Sequence, residues 1–449
     1  MQVGRDAQEE RRQPVFFTAE ELARRGAEDI PAELISGTHL IYSSPATLAF
    51  NSPGAEGFGV KRAGLAVPGS VMLIVSPGCC GRNTSMISDM PAYHDRFFYL
   101  TMDETDVVTG RHLKKIPGAV REIVDWLSEE GKRPEVVMIC ITCVDALLGT
   151  DMERVCRKAE EACGLPVRPC YMYALTREGR KPPMVHVRQS IYSLLEPMKK
   201  KGNVVDLLGF FAPLLDSSEL YALLQGIGVR TIHEISRCSN LAEYRLMAEA
   251  NFALVLNPEA RAVAEDFDKK LGIPSIELTR FYDPDRIHRQ YQALGNVLGV
   301  TFSDEGYYQE AMDSIDALRE DGELTFSVGE CLNADPFELS LALVKMGFAV
   351  AEIFGTLTAE NFIYLKQLAA LSPETKVYTN LHPTMLYYDG ATERRTWSGK
   401  YVTLGKDAGY YHPEIPNVAW NSDRQPYGYD GVKKLMEAIA GAVRGENEA

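Results

Sequence analysis

Uninterrupted apolar runs of strand length, each followed by an amphipathic stretch, recur along this 449-residue chain and limit what it can fold into. The first set is Val71–Val75, Phe97–Met102, Val136–Ile141 and Val167–Tyr173. A second set is Val204–Phe210, Val229–Ile235, Phe252–Leu256 and Ser275–Leu278, with a helical pattern at Ser217–Gln225. A third is Leu324–Gly329, Phe348–Phe354, Lys376–Leu381, Tyr401–Leu404 and Asn417–Trp420, closed by a helical pattern at Val432–Val443. A run with no polar alternation suits a strand buried on both faces, which is the condition of a parallel sheet sandwiched by helices. Three such sets predict an α/β protein of three Rossmann-like, doubly wound parallel-sheet domains around a central cleft. The length agrees, at about 150 residues per domain. Charged turns at Lys199-Lys200-Lys201-Gly202 and Asp321-Gly322-Glu323 mark the boundaries. The expected divisions are an N-terminal arm at 1–36, domain one at 37–201, domain two at 202–321 and domain three at 322–449. The arm, with its AEELARRGAED helix pattern, is expected to pack on the surface or on a second subunit.

Charge narrows the function classes. With 47 Lys and Arg against 62 Asp and Glu, the formal net charge is −15, so the clustered cations that hold a phosphate backbone are missing and nucleic acid is not expected as a partner. No uncharged stretch is long enough to span a membrane, and the polar first twenty residues have no apolar core of a signal peptide. A cytoplasmic location is expected, in which the nine cysteines stay reduced and serve as ligands, nucleophiles or small core residues.

Ligands of open α/β sheets bind past the carboxyl ends of the strands, and two such positions carry thiols. Ser76-Pro77-Gly78-Cys79-Cys80-Gly81 follows the first run, and Thr142-Cys143 followed by Val144-Asp145 ends the third. Cys140 and Cys143 also form a CxxC, but strand alternation would set them on opposite faces, so Cys140 reads as core and Cys143 as the ligand candidate. Cys156, Cys163 and Cys170 recur at a spacing of seven, which a packed face explains. Cys238 and Cys331 follow strand patterns and are secondary candidates, as are His233 and His382; the other six histidines read as surface or hydrogen-bonded. No residue pair selects a cysteine-nucleophile hydrolase, and a ligand-binding protein without redox chemistry would leave the strand-end thiols without a purpose.

The segments SPGCCG and TCVDALLGTD resemble the GPxGCG and TCPxGLIGDD cluster loops of the nitrogenase component 1 superfamily, which includes molybdenum-iron protein subunits, their cofactor-assembly scaffolds, and dark-operative chlorophyll-pathway and related tetrapyrrole reductases. NVVDLLGFF, LYALLQGIGVRTIHEIS, LGIPSIELTRFYDPDRIHRQYQALGNVLG and EIPNVAWNSDRQPYGYDG are similar to further family segments in the same order, over residues 35 to 445. The resemblance implies Cys80 and Cys143 as primary cluster ligands, with Cys79 as the additional thiol. The family's third cysteine, upstream of these, matches Ser52, which is placed beside the cluster without ligating it. Two thiolates per chain, four per dimer, suit a 4Fe–4S cluster at a homodimer or heteromer interface with a related subunit.

The anchors of a molybdenum-iron cofactor are missing: Asn257-Pro258 stands where the resemblance places a cysteine, and 420–425 holds no histidine. A molybdenum-iron nitrogenase subunit is therefore not expected. The resemblance implies instead the substrate-binding component of an ATP-dependent reductase, an oxidoreductase fed with electrons by a separate P-loop ATPase iron protein. This chain has no GxxxxGK[ST] sequence of its own. The substrate would be a small molecule or a tetrapyrrole-like macrocycle. The alternative is a cofactor-assembly scaffold or a non-catalytic partner subunit.

Overall fold

The computed structural model describes residues 13–35, 59–78, 85–142, 144, 148–172 and 181–445. In chain order the strands are β1 (Phe17–Thr18), β2 (Ser70–Ser76), β3 (Phe97–Thr101), β4 (Val136–Ile141), β5 (Val167–Tyr171), β6 (Lys201–Leu208) and β7 (Thr231–His233). They continue as β8 (Ala250–Val255), β9 (Ser275–Glu277), β10 (Leu324–Val328), β11 (Ala349–Phe354), β12 (Lys376–Tyr378), β13 (Lys400–Leu404) and β14 (Asn417–Val418). Three sheets result. The first has the order β3-β2-β4-β5, the second β7-β6-β8-β9, and the third β1-β12-β11-β10-β13-β14. Every pairing is parallel except that of β1 with β12. Parallel sheets with helices between their strands are the α/β architecture that the apolar runs predict.

Burial on both faces explains those runs. Along β2, Met72 and Ile74 face one core while Val71, Leu73 and Val75 face another. Along β4, Val136, Met138 and Cys140 join the first core, and Val137, Ile139 and Ile141 the second. The helix Arg111–Glu129 covers the second core with Ile116, Val120, Ile123, Val124 and Leu127, spaced three and four apart on one face. Each such aliphatic side chain removed from water contributes about 1.5–3 kcal/mol, so no polar residue alternates into these strands.

The chain forms two compact units. One comprises 56–213 and 228–279 and contains the first and second sheets, which share a core running from Ala63 to Ile273. The other comprises 1–55, 214–227 and 280–449 and contains the third sheet. The described part of the N-terminal arm is a member of this second unit: β1 pairs Phe17 with Val377 and Thr18 with Lys376, extending the sheet by an antiparallel edge. Thr18 then caps the helix Ala19–Arg25 in a reciprocal capping box with Glu21.

Residues 214–227 join this unit through Glu219, on the helix Glu219–Gly226. Its buried carboxylate accepts from Tyr291 Oη at 2.7 Å, from the Tyr429 amide at 2.8 Å and from the Asp430 amide at 3.2 Å. Gly428, at φ +63°, opens the helix Gly428–Arg444 against that carboxylate, and a Cβ at this position would overlap Glu219 Oε1. The PYGYDG sequence is thus the chain's way of bringing helix amides onto a buried acid.

A second buried network ties the segment after β12 to the third sheet. The His412 ring, fully buried, accepts at Nδ1 from Arg394 Nη1 at 3.1 Å and lies 2.5 Å through Nε2 from Glu352 Oε1 on β11. A guanidinium only donates, so the neutral ring carries its proton on Nε2 and donates it to Glu352. Tyr388 Oη and Ser327 Oγ also donate to Glu352, at 2.8 Å each. His412→Ala leaves this carboxylate short of a donor and opens a cavity. A urea melt should show a loss of about 3 kcal/mol.

Asp206 on β6 is the opposite case. It is fully buried, and neither carboxylate oxygen has a hydrogen-bond partner among the described residues. Burial pushes its pKa well above the ordinary 3.8, so the native protein keeps a proton that the unfolded chain releases. That preference favours folding at low pH and is lost as pH rises from the ordinary value toward the native one. Asp206→Asn should therefore raise the urea midpoint at pH 7 and flatten its fall between about pH 4 and 7. An unchanged pH slope would show that Asp206 is ionised in the native state.

Candidate functional site

The first sheet reverses its strand order between β2 and β4, so the chain leaves these neighbouring strands in opposite directions and opens a crevice past their carboxyl ends. Val75 pairs with Ile141 in register, on strands about 4.8 Å apart. Beyond this pair, β2 continues through Ser76, Pro77 and Gly78 toward Cys79 and Cys80, and β4 through Thr142 toward Cys143. Ser52, Cys79, Cys80 and Cys143 all lie outside the described residues. What the structure brings together is the pair of attachment points, which are adjacent; for Ser52 it shows no such relation.

Thr142 is 1% exposed, and its Oγ1 has no hydrogen-bond partner among the described residues. The nearby backbone is already committed, since the Ile141 carbonyl accepts from the Met172 amide at 3.1 Å. An orphan hydroxyl beside the crevice, together with two thiol-bearing loops leaving adjacent strand ends, fits a sulfur-ligated metal group.

The six described thiols are free, and their surroundings are those of packing groups. Cys140 is fully buried and paired across the sheet with Cys170. A hydrogen bond with Cys140, together with burial, pushes the Cys170 thiol well up, and Cys170 Sγ donates to the Val60 carbonyl at 3.4 Å. The alternation argument for Cys140 thus agrees with its place in the core. Cys156 is buried on the helix Met152–Cys163, and burial raises its pKa; Cys163 lies half-buried at the end of the same helix. Cys238 is pushed up to about 11 by burial and donates to the Glu234 carbonyl at 3.4 Å. Cys331 is held protonated by burial and by Asp407 and Glu330 beside it. Among the described residues no three His, Cys, Asp or Glu side chains come together as a metal site.

The remaining sequence candidates have structural partners. His233 ends β7 half-buried, and burial lowers its pKa. His382 caps the turn Pro383–Tyr387 by accepting from the Thr384 amide at 3.3 Å. The second sheet reverses between β6 and β8, and there Asn257 accepts from the Glu259 amide at 3.0 Å as a helix cap. In the segment 420–425, Trp420 Nε1 donates to Tyr282 Oη at 2.6 Å and Asn421 Nδ2 to the Cys331 carbonyl at 3.3 Å. Both positions to which the resemblance assigns cofactor anchors thus hold residues hydrogen-bonded within the protein itself.

Sequence reasoning missed an acid pair at the third sheet's reversal, between β10 and β13. Asn380 Nδ2 donates to Glu330 Oε1 at 3.1 Å and to Asp407 Oδ2 at 2.7 Å. Asp407 also accepts from the Glu330 and Cys331 amides, at 2.9 and 3.1 Å, and Glu330 from the Thr356 amide at 2.8 Å. Burial pushes both carboxyls upward, and the charge of Asp407 adds to that push at Glu330. Gly329 was the available signal: it follows an apolar run, and any Cβ there would overlap the Asp407 carboxylate.

A family model described as Nitrogenase component 1 type Oxidoreductase matches residues 56–370, well over half of the chain. The Nitrogenase iron-molybdenum cofactor biosynthesis protein NifE of Sinorhizobium fredii is 24% identical over 408 residues, 83% of this chain and 77% of that protein. A NifE protein from Klebsiella pneumoniae is 28% identical over 217 residues, 44% of this chain and 46% of its own. The Nitrogenase molybdenum-iron protein alpha chain of Methanococcus maripaludis is 22% identical over 219 residues, 48% of this chain and 45% of its own. Among solved structures, Nitrogenase Cp1 at pH 6.5 superposes with a TM-score of 0.69 over 93% of this chain and 96% of its own, at 17% identity, a likeness of fold. No helix among the described residues is long and apolar enough to cross a membrane. With the family model spanning both cysteine loops and all or part of each sheet, the chain belongs to the nitrogenase component 1 type oxidoreductases.

Proposed function

We propose that this chain is the cluster-bearing partner subunit of a nitrogenase-type cofactor-assembly complex. The observation that carries the reading is the reversal between β2 and β4, which starts both cysteine loops from one place in the fold. The relative matched over most of this chain is a cofactor biosynthesis protein, which supports assembly over substrate reduction. Asn257 and the histidine-free segment 420–425 favour the partner role, because neither anchor of a molybdenum-iron cofactor is available here. Cys80 and Cys143 would hold the cluster with Cys79 beside them. Two thiolates from each of two chains, identical or related, complete a 4Fe–4S site that stores and relays single electrons.

The second reading is a reductase component supplied by a P-loop iron protein. The Glu330–Asp407 pair favours it, because a reduction consumes protons and carboxyls whose pKa burial raises, at a sheet's reversal, are suited to supply them.

Anaerobically purified full-length protein, reconstituted with iron and sulfide, should bind about four irons per dimer and absorb as an iron–sulfur protein. Cys80→Ala and Cys143→Ala should lose this absorbance and weaken the dimer, while Cys140→Ala keeps its iron and loses only about 1 kcal/mol of stability. Full iron in Cys80→Ala with loss in Cys79→Ala would move the ligand one residue. A colourless wild type would remove both readings. Assaying the loaded protein with an iron protein and ATP then separates them: stimulation of cofactor maturation in an apo-nitrogenase supports assembly, and sustained reduction of an added substrate supports the reductase.

A further inference from the structure

Thr142 combines two properties that conflict. Its side chain is buried to 1% exposure at the end of β4, and its hydroxyl lacks a hydrogen-bond partner among the described residues. Valine has nearly the same shape, favours the end of a strand as well, and would bury no unsatisfied group. Keeping a hydroxyl there costs stability unless an acceptor beyond the described residues takes its hydrogen. The site itself limits what that acceptor is. Thr142 adjoins Cys143, and its strand ends beside β2, from which the chain runs toward Cys79 and Cys80. Sulfur is the acceptor that chemistry supplies at such a place.

We infer that Thr142 is a positioning residue whose hydroxyl donates a hydrogen bond to a sulfur of the metal group, either a cysteine thiolate or an inorganic sulfide. The inference rests on the cluster reading above and assigns a second function to the strand end beyond thiolate ligation. A donor to cluster sulfur stabilises the more negative, reduced state, so Thr142 holds the midpoint potential above the value that the thiolates alone would set. The same bond satisfies a hydroxyl that has no partner among the described residues, which couples cluster loading to the stability of β4.

The test compares wild type, Thr142→Val and Thr142→Ser, each as full-length protein, first without iron and then reconstituted. Without iron, Thr142→Val should melt at the same temperature as wild type or higher. Loaded, it should carry the same iron as wild type with a more negative midpoint potential in an EPR-monitored titration, and Thr142→Ser should restore the wild-type potential. A loaded Thr142→Val with unchanged potential overturns the inference and leaves the cluster reading intact. So does an apo Thr142→Val that melts lower or fails to fold, because the hydroxyl would then have a protein partner. A wild type that takes up no iron overturns the cluster reading, and the inference with it.

Discussion

A strand buried on both faces can present chemistry only past its end. That constraint orders most of this structure. All of β4 and the apolar Val71–Val75 of β2 are spent on two separate cores, so residues with other chemistry fall in the sequence that follows the strands. Parallel strands also need a crossover between neighbours, and where successive crossovers leave on opposite faces of the sheet the turns separate and leave a crevice. In the first sheet the strands that flank that point are the two that thiols follow in the sequence. The alternation that hides Cys140 in the core is the same geometry that leaves Cys143 outside the strand, so one CxxC supplies a packing residue and a ligand candidate.

Features legible in the sequence were those whose signal is local. The apolar runs located the strands because two-sided burial removes polar residues within a few positions. The reading of Cys140 needed only the period of a strand. Long-range features were not legible. Nothing near Phe17 indicates that it pairs with Val377, because an antiparallel edge is set by tertiary packing over most of the chain's length. Glu219 resembles any first-turn acid of a helix until Gly428 brings the Tyr429 and Asp430 amides against it. Glu352 and His412 are 60 residues apart in sequence, and neither the apolar run that contains Glu352 nor the residues around His412 point to the other. The site was legible in part: the strand ends and their thiols were found, while the orphan hydroxyl of Thr142 and the Glu330–Asp407 pair needed burial and partners to be seen.

The three sheets reverse their strand order at three places, and each has different chemistry. At the first, thiols follow both flanking strands and a hydroxyl waits without a partner, a combination suited to soft, sulfur-rich metal groups. At the second, Asn257 turns its side chain onto its own helix start, which satisfies the backbone and offers a ligand nothing. At the third, two carboxyls share one side-chain amide donor, and burial pushes both of them upward. One architecture thus has thiols following one reversal in the sequence and carboxyls at another, with a capped asparagine between them in sequence. The division explains why membership of the family does not by itself decide between assembly and reduction. A partner subunit needs only the first of these positions, whereas a reductase must bring protons and electrons to the same substrate. The acid pair, held among the Asn380 amide and the backbone amides of Glu330, Cys331 and Thr356, would then have to be resupplied with protons at the rate that electrons arrive.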